Sequence, residues 1–199
     1  MITAIILAAG QSRRMGRLKQ LLPLAGKPLL QHAIDNARAS NVDEVLLVLG
    51  HGTATIRQSL DLTDVLVVEN PHYLDGMHTS LYAGIRALPP DCEAFVMLLG
   101  DQPYVLPAYI DAVIGTFRRE GGPIVAAFYR GERGHPVLFA RPLFEEMLAK
   151  LGEGGARRLI AAHAAEVQRA EIAAPRPDVD VDTPQDYERL VSGASDEGI

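Results

Sequence analysis

The chain has 199 residues, 48% of them hydrophobic, which supplies one buried α/β core and leaves little room for a second domain. A formal net charge of −6 excludes a broad polyanion-binding surface, so nucleic acid is not an expected partner. The single cysteine, Cys92, excludes an internal disulfide and suits a reducing cytoplasm, and no apolar run reaches bilayer-spanning length, so no membrane is expected either.

Met1 to Ala9 is apolar, lacks a basic flank and is far too short to span a bilayer, so it reads as a buried strand, Thr3 to Leu7. Leu29, Leu30, Ala33, Ile34 and Ala37 then mark one stripe of a helix that Pro28 begins. Val45 to Leu49, Val65 to Val68, Phe95 to Leu99 and Ile124 to Phe128 are further strands, and their unalternating Val, Ile and Leu fit burial on both faces. Between and after them, helical spacing covers Thr53 to Leu60, Ser80 to Leu88, Pro107 to Arg119, Pro142 to Leu151 and Ala156 to His163. Pro136 to Phe139 and Val167 to Ile172 read as shorter strands, on the edge of the sheet. Thr183 caps a last helix with Pro184 at its first position, running to about Val191. The expectation is one α/β domain over residues 1–191, three layers with a mostly parallel, Rossmann-like sheet, and a flexible tail over 192–199.

Ligands of open parallel sheets sit beyond the carboxyl ends of the strands. The first such end reads Leu7-Ala8-Ala9-Gly10-Gln11-Ser12-Arg13-Arg14-Met15-Gly16-Arg17-Leu18-Lys19. Small residues let backbone N–H groups approach an anion, and four of the 19 basic residues fall within seven positions here, a charge pattern suited to phosphate. The loop lacks the Gly-Lys-Ser/Thr ending of a P-loop, which disfavours a kinase or ATPase of that type. A solvated basic connection is the alternative. The fourth strand runs into Gly100-Asp101-Gln102-Pro103, where a carboxylate can hold Mg²⁺ against phosphate oxygens or simply make an Asp-Pro turn. In Asp178-Val179-Asp180-Val181-Asp182-Thr183-Pro184, Asp180 and Asp182 share a face if extended, or else the acids open a helix. Gly50-His51-Gly52-Thr53-Ala54-Thr55 nearly fits a dinucleotide fingerprint, but Thr55 stands at the third glycine. The histidines match no zinc-binding spacing.

The first loop, followed by Leu21-Leu22-Pro23 and Gly26-Lys27-Pro28, resembles the signature of nucleotidyltransferases with a molybdenum-cofactor-guanylyltransferase-type fold, and most of all the molybdenum cofactor cytidylyltransferases. The resemblance spans roughly Ile2 to Leu190. It implies that Leu7, Ala8, Ala9, Gly10, Ser12, Arg13, Arg14, Lys19, Ser80 and Gly100 bind the nucleotide, and that Lys19, Arg14 and Asp101 are catalytic. It assigns Mg²⁺ to Asp101 and, through the closing Asp-x-Asp-Thr-Pro-x-Asp pattern, to Asp182. Asp75 to Leu81 resembles the family's Gly-Met-x-x-Ser-Leu segment near base and ribose, although a loop with a cap at Thr79 or Ser80 explains it equally. Arg133-Gly134-His135-Pro136 and Gly154-Gly155-Ala156-Arg157 resemble acceptor-side motifs, implicating His135 and Arg157, while a hairpin turn and a helix start are their local alternatives.

The implied reaction transfers CMP from CTP to the terminal phosphate of a molybdopterin-type acceptor. Ala9, where guanylyl-specific relatives carry glycine, leans toward the pyrimidine. The product implies transient docking to a molybdenum hydroxylase or its chaperone. Rival readings are another triphosphate with a sugar or alditol phosphate acceptor, an NAD(P)H-dependent reductase on the same fold, and a non-catalytic carrier of the pterin.

Overall fold

A computed structural model of the chain describes residues 1–150, 152, 155–175 and 181–196. Strand β1 (Ile2–Leu7) is buried along its whole length, as an apolar run broken only by Thr3 demands. A two-residue ribbon, β2 (Pro23–Leu24) with β3 (Lys27–Pro28), precedes α1 (Leu29–Arg38). Next come β4 (Glu44–Leu49), α2 (Thr53–Ser59), β5 (Val65–Glu69), α3 (Met77–Arg86), β6 (Ala94–Leu99) and α4 (Pro107–Glu120). The chain ends with β7 (Ile124–Tyr129), β8 (Glu132–Ala140), α5 (Phe144–Lys150), α6 (Gly155–Ala162), β9 (Val167–Ile172) and α7 (Pro184–Asp196).

Seven strands form one sheet in the order β5-β4-β1-β6-β8-β7-β9. All neighbours are parallel except β8, which runs antiparallel to both β6 and β7. Alternate residues of β1 serve opposite faces. Ile2, Ala4 and Ile6 meet the apolar stripes of α1, α2 and α4, while Ile5 and Leu7 meet α3, α5 and α6. Each fully buried Ile or Leu contributes at most about 1.5–3 kcal/mol, and with a single cysteine no internal disulfide adds to that. Phe95 and Phe139 stack across β6 and β8 with ring centroids 5.3 Å apart. A third, smaller cluster joins Met15, Leu22, Leu24 and Leu29 to Val181 and Leu190, and pins α7 over the segment that follows β1. Among the described residues no helix is long and apolar enough to cross a membrane.

Five expectations are corrected. The segment read as a short edge strand from Pro136 is an interior strand of nine residues, β8. Proline lacks the N–H that an interior ladder needs, but the β7–β8 register shifts between Ala126 and Phe128, and Pro136 falls in that irregularity. The hairpin turn lies at Arg130-Gly131, both at positive φ, so Arg133 to Pro136 belong to the strand rather than to the turn. Helix α3 begins at Met77, not Ser80, so Thr79 and Ser80 sit inside its first turn and do not cap it. The final helix continues to Asp196, through the first residues of the expected tail. The helix expected from Pro142 opens with a 3₁₀ turn, Arg141–Leu143, before α5, and its expected end at Leu151 lies outside the described residues. Val167–Ile172 does lie at the edge of the sheet.

The strand order sets the position of the site. From β1 the chain extends the sheet through β4 and β5 on one side, then crosses back to place β6 on the other. Connections leaving β1 and β6 therefore part in opposite directions, opening a crevice beyond their carboxyl ends. The two segments singled out in the sequence, Ala8 to Lys19 and Gly100-Asp101, start there.

Candidate active site

The turn after β1 is held from beneath. Ala8 extends the ladder by donating its N–H to Val48 (2.9 Å), and Gly100 donates to the Leu7 carbonyl (3.0 Å). A Cβ at Gly100 would stand 2.8 Å from Leu30 Cδ1 and 2.9 Å from Ala8 Cβ, so β1 and β6 reach this separation only with glycine. Beyond Ala8, the Gln20 side-chain amide donates to the carbonyls of Ala8 (3.0 Å) and Gly10 (3.1 Å), and the His51 N–H donates to Ala9 (3.3 Å). Ser12, at φ 53°, donates its hydroxyl to Gln20 Oε1 and accepts the Lys19 N–H at 3.1 Å. Among the described residues, no acceptor takes the backbone N–H groups of Ala9 through Arg14. A run of such amides in a tight turn is an anion-binding concavity.

The distant acids converge on this turn. Lys19 Nζ donates to Asp101 Oδ2 at 2.6 Å and to Asp182 Oδ1 at 2.8 Å, and Arg14 donates to the other Asp182 oxygen at 2.6 Å. Asp101 arrives on the turn after β6. Asp182 is delivered by a reciprocal cap on α7: Asp186 Oδ2 accepts from the Thr183 N–H (2.8 Å) and hydroxyl (2.6 Å) and from the Asp182 N–H (3.3 Å), while Thr183 accepts the Asp186 N–H. Burial alone would lower the Lys19 pKa, but the charge and hydrogen bond of Asp101, with those of Asp182, outweigh it and raise the pKa above 10.5. The Lys19 hydrogen bond, against a smaller opposing burial effect and aided by the Lys19 and Arg14 charges, holds the Asp182 pKa below 3.8. The group is an ammonium between two carboxylates.

Chemically, Asp101 and Asp182 form a hard oxygen-donor pair whose oxygens already flank one cation, so they fit a divalent ion such as Mg²⁺ or Mn²⁺. Asp178 and Asp180 lie outside the described residues. Among the described residues there is no cluster of three or more His, Cys, Asp or Glu side chains suited to a metal.

A cavity of about 170 Å³ opens beside the cluster, lined by Leu7, Ala8, Ala9, Gly10, Lys19, Gln20, Tyr73, Met77, Ser80, Leu99, Gly100 and Asp101. Ser80 reaches it from α3, its hydroxyl held by Asn70 Nδ2 at 3.0 Å. Asn70 is buried and also binds Thr79 and the His72 N–H, tying the end of β5 to the start of α3. Arg13 turns to the side chain of Gln11 rather than to the carboxylates. His135 stands on β8 two residues before Val137, the partner of Met97, and so at the edge from which Asp101 departs; its carbonyl accepts the Tyr129 hydroxyl at 2.6 Å. Arg157 is exposed on α6 and is not drawn into the Lys19 cluster, while Gly154 lies outside the described residues.

Gly50-His51-Gly52 is a support, not a second phosphate loop. A Cβ at Gly50 would meet Tyr73 Cβ at 2.7 Å and Ala9 Cβ at 2.9 Å, and Gly52 packs on Leu18. Gln20, Asn70 and Asp186 were not singled out in the sequence. For Asp186 the signal was present, an acid three residues after Thr183.

Comparisons with known proteins identify the family of the fold that carries this site. The family described as "MobA-like NTP transferase domain" matches residues 4–167. The solved structure of Rv0371c from Mycobacterium tuberculosis H37Rv superimposes with a TM-score of 0.87 at 32% identity, covering 96% of this chain and 97% of that one. The same protein has been solved in complex with manganese, where the TM-score is 0.81 over 96% of this chain and 98% of that one, again at 32% identity. The molybdenum cofactor cytidylyltransferase of Escherichia coli K12 is 28% identical over 94% of this chain and 93% of its own length. The bifunctional protein GlmU of Cupriavidus necator is 37% identical over 55% of this chain, but the match spans only 24% of GlmU. With the family matching most of its length, the chain belongs to the MobA-like NTP transferase domain family and is a nucleotidyltransferase.

Proposed function

We propose that this nucleotidyltransferase transfers CMP from CTP to the terminal phosphate of a molybdopterin-type acceptor, releasing pyrophosphate. The observation that carries the reading is the Lys19 ammonium held between Asp101 and Asp182 beside a turn whose amides are not taken by any described residue. The amides of the turn, with Arg14 and Lys19, bind the triphosphate and hold its α-phosphorus in line with the acceptor oxygen. That oxygen bonds to the α-phosphorus as the bond to the β-phosphate bridge breaks, and pyrophosphate carries off the electrons. No covalent enzyme intermediate is required, because positioning and charge neutralisation supply the catalysis. Asp101 and Asp182 would hold a divalent ion, Mg²⁺ in this proposal, which supplies charge neutralisation at the phosphate oxygens. Ser80 and the cavity beside it take base and ribose, and His135 and Arg157 face the acceptor. The proposed setting is the cytoplasm, where Cys92, buried and hydrogen bonded to Ala94, stays reduced.

Support for cytidine and the pterin comes from the near full-length similarity to the Escherichia coli cytidylyltransferase and from Ala9. Docking to a molybdenum hydroxylase or its chaperone belongs to the same proposal and rests on that similarity alone. The test is pyrophosphate release with Mg²⁺ and each triphosphate in turn, with and without molybdopterin, a sugar phosphate or an alditol phosphate. Release that requires both CTP and molybdopterin is expected. Release with another triphosphate and a sugar phosphate, and none with the pterin, overturns the substrate assignment.

A further inference from the structure

Gln20 is 2% exposed, yet no step of the proposed chemistry uses it. Its side-chain orientation is unambiguous. Both neighbours of Nε2 are backbone carbonyls, which only accept, and the neighbour of Oε1 is the Ser12 hydroxyl, which can donate. The consequence lies in the other half of each peptide it holds. In a trans peptide the C=O and the following N–H point in opposite directions. Fixing the Ala8 carbonyl inward therefore aims the Ala9 N–H outward, and fixing the Gly10 carbonyl inward does the same for Gln11. The peptide between them is set separately, because the His51 N–H holds the Ala9 carbonyl and so aims the Gly10 N–H.

We propose that Gln20 is a positioning residue of the phosphate-binding turn, orienting the peptides Ala8-Ala9 and Gly10-Gln11 so that their N–H groups face the polyphosphate. The proposal rests on the nucleotide reading above and deepens it. Without Gln20 the two buried carbonyls lose their donors, and each peptide can rotate to seek another. A rotated peptide presents a carbonyl oxygen to the phosphates and turns attraction into repulsion. Ser12 steadies the arrangement from the other side, since its hydroxyl both anchors Oε1 and receives the Lys19 N–H.

The test is an NMR titration of the ¹⁵N-labelled full chain with inorganic tripolyphosphate, comparing the wild type with Gln20→Met, which keeps length and unbranched shape. In the wild type the amides of Ala9, Gly10 and Gln11 shift on binding. In Gln20→Met the affinity falls by about tenfold or more, on the scale of losing charge-assisted hydrogen bonds. The responses of Ala9 and Gln11 collapse while that of Gly10 persists. A merely structural role would lower thermal stability without that selective pattern. Arg14→Ala, which removes a guanidinium and its contact with Asp182 but touches no peptide that Gln20 holds, should add to the Gln20→Met loss rather than overlap with it. Gln20→Met binding within twofold of the wild type, with all three amides still responding, overturns the proposal. So does a wild type that binds tripolyphosphate while Ala9 and Gln11 do not respond, a result available even if the variant fails to fold. A wild type that does not bind tripolyphosphate at all removes the nucleotide reading itself, and the role of Gln20 with it.

Discussion

Two glycine-bearing turns leave adjacent parallel strands of this sheet at the same end, one after β1 and one after β4, and they put the same residue type to opposite uses. After β4, Gly50 is small because Tyr73 and Ala9 crowd its α-carbon. After β1, nothing lies within 4 Å of a Cβ built on Gly10, and the carbonyls are taken from below while the amides stay open. A glycine pattern therefore does not by itself announce a ligand. What separates the two turns is which backbone groups the fold has already claimed.

That contrast can be attacked experimentally. The largest effect is expected at the charges above the first turn. Asp101→Ala should abolish turnover, and Lys19→Ala should cut kcat by roughly two to three orders of magnitude, both with thermal unfolding still cooperative. A Lys19→Ala enzyme that loses only stability would make the first turn structural like the second. Next, Gly50→Ala should cost about 1–3 kcal/mol of stability in a denaturant titration, while Gly10→Ala stays within about 0.5 kcal/mol. The reverse ranking would erase the distinction.

A smaller effect follows from pH. The Asp182 pKa is lowered in the folded protein, so the stability it contributes is present above 3.8 and lost as pH falls through the lower folded value. Melting curves of the wild type and Asp182→Asn should therefore differ at neutral pH and converge in strong acid. The raised Lys19 pKa works the other way, its contribution being present below 10.5 and lost as alkali passes the higher folded value. The smallest effect belongs far from both turns. His163 bridges Glu166 (2.7 Å) and Glu146 (3.0 Å), and these partners raise its pKa above 6.5. His163→Gln should lower stability by less than about 1 kcal/mol at pH 6, fading at alkaline pH, and should leave turnover untouched.

The elements that sequence periodicity resolved are those whose burial is two-sided or striped. β1, β4 and β6 read as strands because both faces are apolar, and α1 because one stripe is. β8 misled because Pro136 forbids a regular interior ladder, and only the register shift on its neighbour makes room for it. At the site, Lys19, Asp101 and Asp182 were legible as charges beside strand ends, and the structure brings all three together. Gln20 and Asn70 were not, since a buried amide declares itself through partners distant in sequence or through backbone atoms that carry no sequence signal. Arg157 remains outside the cluster, exposed on α6, whose Leu159 and Ile160 pack into the core with Leu81 and Ile85 of α3.

Asp182 follows every strand of the sheet in chain order, so the strands are all synthesised before it. A nascent chain can lay down β1, β6 and the turn with Lys19, but it lacks one of the two carboxylates until α7 has left the ribosome and docked through Leu190 and Tyr187. Translation thus completes the pair only after the sheet's strands are made, and a premature stop ahead of residue 182 would leave Lys19 with Asp101 but without Asp182.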